Sequence, residues 1–347
     1  MATLHGFLLV QEEQIDEINS RARLYRHERT GARLLSLEND DENKVFGITF
    51  RTPPADSTGV AHILEHSVLC GSRKYPVKEP FVELMKGSLN TFLNAFTYPD
   101  KTCYPVASQN VQDFYNLIDV YLDAVLYPNL TRHTFEQEGW HFELDSIDSP
   151  LTYKGVVFNE MKGAYSTPDE VLSQQSQAAI FPDNTYRQDS GGDPQVIPDL
   201  TYEGFKAFHQ RYYHPSNAFI YFYGDDDPEN RLKILNAYLD DFDLVQVDST
   251  VPIQSHLSEP RRAAFGYEVT PEDEAPKAML TLNWLLPDGA DPTEKYAFSI
   301  LNEVLIGTPA SPLRKALIDS GLGEDLAGRG VETGLAQMFL SVGMKGV

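Results

Sequence analysis

His62 and His66 stand four residues apart, with Glu65 immediately before the second of them. On an α-helix that spacing puts both imidazoles on one face, one turn apart, with room for a metal ion between them. Glu65, three residues after His62, shares that side, where a carboxylate can take a proton from a metal-bound water without being a ligand itself. The order H-x-x-E-H is the reverse of the H-E-x-x-H string of zinc peptidases. A helix used in this way constrains everything around it. The chain has to supply a third ligand, a groove for a peptide and a rigid scaffold. The bland alternative is a helix whose histidines are ordinary surface or core residues.

The flanking sequence reads as such a scaffold. Residues 23–27 and 32–37 are β-like runs around a turn containing Gly31, which reads as a hairpin. Residues 45–50 read as another strand, ended by Pro53 and Pro54, and Asp56, Ser57 and Thr58 offer N-cap side chains to the histidine helix. Glu79 to Met85 suggests a short helix with proline in its first turn. Residues 93–98 and 102–106 read as two strands, with Pro105 suited to a sheet edge because it has no N–H for a ladder. An exposed edge beside a metal is where an extended peptide adds as another strand, although an ordinary core hairpin accounts for the same pattern.

Further on, Val111, Phe114, Tyr115, Ile118, Tyr121, Leu122 and Val125 recur at helical spacing and predict an amphipathic helix ending at Pro128. A helix over 156–163, a long surface loop over 180–200, a helix marked by Tyr202, Phe205, Phe208 and Tyr212, a buried strand over 217–223 and a helix capped by Asp227 and Pro228 complete a first domain, residues 1–243. Periodicity lapses over 244–263, a linker. Residues 264–347 hold a strand at 279–285 and helices at 296–306 and 313–318, the start of a second domain without its own H-x-x-E-H. At about 85 residues it is short for a domain, so it reads as cut off.

A net charge of −23 argues against a nucleic-acid partner, which needs clustered Lys and Arg, and favours basic ligands by long-range steering. Acidity that only keeps the protein soluble is the competing explanation. Two cysteines, Cys70 and Cys103, are too few for a disulfide framework and point to a reducing compartment. No apolar run approaches the ~18 residues of a membrane span, and no signal or transit peptide is recognisable, so a soluble protein of the cytoplasm or of an organelle matrix or stroma is expected.

The residues alone leave the third ligand open among Glu136, Glu138, Glu143 and Glu160, with Cys70 as a rival one turn past His66. The chain does, however, resemble a known family. The strings over 59–72, 93–102 and 154–163 are similar to those of the pitrilysin and insulysin class of inverzincin metallopeptidases, in its presequence protease branch, and the similarity runs from near Gly6 to the end. The resemblance implies an α+β fold of repeated domains, each an antiparallel-rich sheet with helices on one face. It implies one Zn2+ per chain on His62, His66 and Glu160, with Glu65 as general base, and a peptide-binding edge strand at Leu93, Asn94, Ala95, Phe96 and Thr97. Substrates would be unfolded, basic peptides such as cleaved targeting presequences. Members of the class are longer, and a second half brings an Arg and a Tyr to the site. The resulting expectation is zinc binding, with little turnover by residues 1–347 unless a complementary half completes them. A non-catalytic binding or processing subunit is the alternative, disfavoured by the intact His62, Glu65, His66 and Glu160.

Overall fold

The computed structural model describes residues 3–78, 80–267 and 278–347, so residues 268–277 of the expected second domain lie outside the described residues. In chain order the elements are β1 (Thr3–Leu4), β2 (Phe7–Ile15), β3 (Ser20–His27), β4 (Arg33–Glu38), β5 (Lys44–Arg51), α1 (Val60–Val68), α2 (Pro80–Gly87), β6 (Asn90–Leu93), β7 (Phe96–Thr97), β8 (Lys101–Ser108), α3 (Val111–Leu126), α4 (Arg132–Glu138), β9 (His141–Glu143), β10 (Thr152–Lys154) and α5 (Val156–Ala164). They continue with α6 (Pro168–Ile180), α7 (Tyr202–Tyr212), β11 (Ala218–Gly224), α8 (Pro228–Leu239), β12 (Met279–Asp288), α9 (Pro292–Asn302), α10 (Pro312–Asp319), β13 (Asp325–Glu332) and β14 (Gln337–Lys345). The fold is α+β. Two compact units are distinguished, Met1–Phe158 with Ser190–Thr250, and Asn159–Asp189 with Val251–Val347.

The first unit is built on a sheet ordered β1-β2-β3-β4-β11-β5-β8-β6, with β7 also on β8. Its pairs are antiparallel except for β11 with β4. Strand alternation decides which face is covered. Leu34, Phe46, Ile48, Phe50, Ile220 and Phe222 are fully buried on one face, whereas their neighbours Val45, Gly47 and Thr49 are half-exposed on the other. Helix α3 packs on β5 and β8, and α8 packs on α3, so the apolar stripe read from the sequence is core.

Three local expectations are corrected. Asp56, Ser57 and Thr58 do not cap α1. The N-cap is Gly59 in the left-handed region (φ 69°), and the Asp56 carboxylate instead accepts from the Thr58 N–H and hydroxyl. Pro105 is not on an edge, since β8 lies between β5 and β6. The run at 93–98 is not one strand but β6 and β7, broken at Asn94 and Ala95. The break has a local cause. The Asn94 N–H reaches the Pro105 carbonyl at 3.4 Å, but proline returns no N–H on that side, so the ladder lapses there.

The second unit holds the three-stranded sheet β12-β14-β13. Helix α6 packs on β12 and β13 and, with Phe339 and Ser341, lines one cavity, while Leu340 and Val342 line another with residues of α9 and α10. Helices therefore meet both faces of this small sheet. Ile180, Phe181, Tyr186, Val251, Leu335 and Phe339 form its buried cluster. Residues 244–257 carry no helix or strand.

One buried histidine makes the first unit sensitive to acid. The His209 Nε2 donates to the Val125 carbonyl at 2.9 Å, tying α7 to α3, and the ring stacks on Tyr213. Burial outweighs that hydrogen bond and pushes the imidazole down to about 4. Unfolding returns it to an ordinary value near 6.5. Between these values the unfolded chain binds a proton that the folded chain refuses. Stability is therefore full above pH 6.5 and falls as pH drops toward 4, by up to about 3 kcal/mol from this residue. Urea unfolding at pH 7.5, 6 and 5 should show the fall, and His209→Phe should remove this share of the slope.

Candidate metal centre

Helix α1 presents its apolar residues Val60, Ala61, Ile63, Leu64 and Val68 to the core, which fixes the direction of the histidine face. The two rings lie edge to face with centroids 5.0 Å apart. Each is held from behind through Nδ1. His62 Nδ1 lies 3.0 Å from the Gly191 carbonyl, and His66 Nδ1 lies 3.3 Å from a Glu138 carboxylate oxygen. Both partners are acceptors, so a proton on Nδ1 satisfies each contact and leaves Nε2 to face a metal. That is the tautomer a metal ligand needs.

The Gly191 contact depends on glycines meeting. A Cβ on Gly59 would stand 2.7 Å from the Gly191 oxygen and 2.9 Å from the Gly192 Cα, so a side chain there would push this carbonyl off His62. The backbone N–H of Asp193 donates to the Ser57 carbonyl at 2.9 Å and pins the loop beside the start of α1.

Glu160 stands on α5, where Val157, Phe158 and Met161 are buried and fix the helix rotation. Ligand atoms of His62, His66 and Glu160 all lie within 4.8 Å of one another. Among the described residues this is the one such group of three or more His, Cys, Asp or Glu side chains. Two nitrogens and a carboxylate oxygen are a donor set that suits zinc and leaves a fourth position open.

The other acids weighed from the sequence are placed differently. Glu136 lies 4.0 Å from His133 on the surface, and Glu143 pairs with Lys154 and His141. Glu138 touches the centre only through His66. Burial pushes its carboxyl up, but hydrogen bonds from His66 and Gln137 outweigh this and hold it below the usual carboxylate range. The Cys70 sulfur lies 3.5 Å from the His66 carbonyl.

Glu65 is outside the ligand group. Its Oε2 accepts from the Thr97 hydroxyl at 2.6 Å, which joins α1 to β7. Leu93 ends β6, Asn94 and Ala95 form the break, and Phe96 and Thr97 form β7. The Asn94 carbonyl accepts from the Tyr121 hydroxyl at 3.2 Å. Burial, then the nearby charge of Glu65, push that hydroxyl far above its ordinary pKa. Sequence reading gave Tyr121 to the core stripe of α3. Its neighbourhood to Glu65 has no signal in spacing.

The chain matches two family descriptions, "Insulinase (Peptidase family M16)" over residues 51–167 and "Peptidase M16 inactive domain" over residues 199–347. Presequence protease 1, chloroplastic/mitochondrial, of Arabidopsis thaliana is 57% identical over 348 residues, covering 99% of this chain and 32% of the relative. Protein HypA of Clostridium perfringens is 51% identical over 327 residues (93% of this chain, 34% of the relative), and the mitochondrial presequence protease of Mus musculus 43% identical over 351 (99% and 34%). The chain thus spans about a third of the length of these relatives. Pitrilysin superposes with a TM-score of 0.69 at 18% identity, covering 98% of this chain and 35% of that one. A protease from Helicobacter pylori gives 0.68 at 16%, covering 98% and 76%. At such identities the superpositions speak for the fold. The chain belongs to the M16 peptidase family, in its pitrilysin and insulysin class, with presequence proteases among its relatives.

Proposed function

We propose that this chain carries the zinc site and general base of a metalloendopeptidase that degrades unfolded, basic peptides such as cleaved targeting presequences. The observation that carries the proposal is the grouping of His62, His66 and Glu160 within 4.8 Å beside Glu65. A bound zinc ion would supply Lewis acidity toward a scissile carbonyl and a water made easier to deprotonate. The chain's own residues do the rest. His62 and His66 present Nε2, steered by Gly191 and Glu138, and Glu160 adds a negative oxygen. Glu65 accepts the proton of the attacking water and delivers it to the leaving amine, with Thr97 orienting its carboxylate. The edge formed by β6 and β7 is where an extended peptide would add as a further strand. A net charge of −23 steers basic peptides toward the chain. The names of the plant and mouse relatives, chloroplastic/mitochondrial and mitochondrial, support an organellar setting. No helix among the described residues is long and apolar enough to cross a membrane.

Metal analysis tests the core of this reading. The 1–347 chain is expected to hold about one zinc per molecule after dialysis, and His62→Ala and Glu160→Ala are expected to lose it while keeping the circular dichroism of the parent. Cleavage of a quenched basic peptide is then assayed. Zinc with cleavage establishes a self-sufficient endopeptidase. Zinc without cleavage assigns the chain the metal-bearing role and leaves turnover to a complementary half. A parent that binds no zinc overturns the proposal.

A further inference from the structure

We infer that Glu138 is a positioning residue for the metal centre, acting through His66 to make that histidine the more strongly donating of the two. The inference rests on the zinc reading above and concerns a residue outside the ligand set. Glu138 is the last residue of α4, and its placement is built in. Gly139 follows it, and a Cβ there would stand 3.2 Å from Ile63 of α1 and 2.8 Å from the Phe135 carbonyl, so glycine lets the end of α4 settle onto the histidine helix. Phe135 anchors the same helix against Phe205 of α7, with ring centroids 5.3 Å apart. The carboxylate that results is 6% exposed. Its Oε1 accepts from the Gln137 amide at 2.8 Å and its Oε2 faces His66 Nδ1 at 3.3 Å.

Among the described residues no lysine or arginine pairs with Glu138; its one ion-pair contact is the His66 imidazole. A buried carboxylate without a cation costs several kcal/mol. A divalent ion held by the far nitrogen of the same ring would supply that positive charge. His62 lacks this arrangement, because its partner, the Gly191 carbonyl, is neutral. The two histidines therefore differ in kind. Glu138 fixes the His66 tautomer, holds the ring plane and raises the basicity of Nε2, whereas Gly191 only fixes and holds.

The test compares the 1–347 chain with Glu138→Gln and Glu138→Ala. Zinc affinity is measured by competition with a chromophoric chelator, and the His66 tautomer by nitrogen-15 NMR on the metal-free proteins. Glu138→Ala is expected to weaken zinc by roughly 10- to 100-fold and to give His66 a mixed tautomer. Glu138→Gln keeps an acceptor oxygen without the charge. It should retain the Nδ1–H tautomer and fall between the two in affinity, which a merely structural residue would not do. If Glu138→Ala unfolds, Glu138→Gln alone still decides. Parent-like affinity in a folded Glu138→Gln or Glu138→Ala, with the His66 tautomer unchanged, overturns the inference. Absence of zinc from the parent is the separate failure of the zinc reading.

Discussion

Glu65→Gln is expected to keep zinc at nearly the parental affinity and to cut peptide hydrolysis by roughly 10²- to 10⁴-fold, the usual worth of a general base. The expectation follows from where Glu65 is not as much as from where it is. It is absent from the group His62, His66 and Glu160, so an amide in its place removes no ligand. Its carboxylate is instead held by the Thr97 hydroxyl at 2.6 Å, a bond that a glutamine oxygen can also accept, so the side chain should stay in place. What glutamine cannot do is take a proton from water. Zinc by chelator competition and initial rates on a quenched basic peptide, in whichever preparation turns over, separate the two effects. Parental rates in Glu65→Gln would remove Glu65 from the role of base. Loss of zinc in that variant would show instead that the carboxylate holds the site together.

The parts of the molecule legible in the sequence were those in which one local signal is enough. Helix α3 shows an unbroken stripe, β11 is a continuous apolar run at the centre of the sheet, and α8 begins where Asp227 and Pro228 say it should, with Asp227 accepting from the Glu229 N–H. The two histidines and Glu65 belong with these because helical spacing alone puts them on one face. Elements whose pattern is masked by their surroundings were not legible. Strand β2 shifts register between Leu9 and Gln11 and has a polar second half, so its alternation breaks. Helix α6 carries five consecutive polar residues, Ser173 to Gln177, which leave no apolar stripe to read, and the sequence reading assigns no element there. Strands β13 and β14 contain glycines and a register shift between Ala327 and Gly330 that blur their period. The broken edge at Asn94 depends on Pro105 lying opposite, a pairing no window on one strand can show. Glu160 is a similar case. Four acids were equally available by spacing, and resemblance named the one that three-dimensional proximity groups with the histidines.

Asp226→Asn is expected to be among the most damaging single substitutions in the first unit, at about 3–5 kcal/mol. Arg231 is fully buried, and each side of its guanidinium is occupied. The Nε donates to both Asp226 oxygens at 3.1 Å, and Nη2 donates to Asp226 at 2.5 Å and to the Gly224 carbonyl at 2.9 Å. The Nη1 donates to the Ser36 hydroxyl at 2.8 Å and the Leu37 carbonyl at 3.0 Å. One side chain of α8 thus closes the ends of β4 and β11, and Tyr115 of α3 adds a hydrogen bond to Asp226 at 2.9 Å. Asparagine preserves the shape but leaves a buried guanidinium without a counter-charge, and no rearrangement within a packed core restores it. For a folding unit of this size the loss corresponds to a fall in Tm of about 6–20 °C. Arg231→Met should cost a comparable amount, because Asp226 and two carbonyls then lose their donors. The double variant Asp226→Asn with Arg231→Met decides whether the pair contributes stability or only forbids its own disruption. Removing both charges should destabilise by clearly less than the sum of the single changes. Additive losses in urea unfolding would show instead that the two residues act independently, despite their contact.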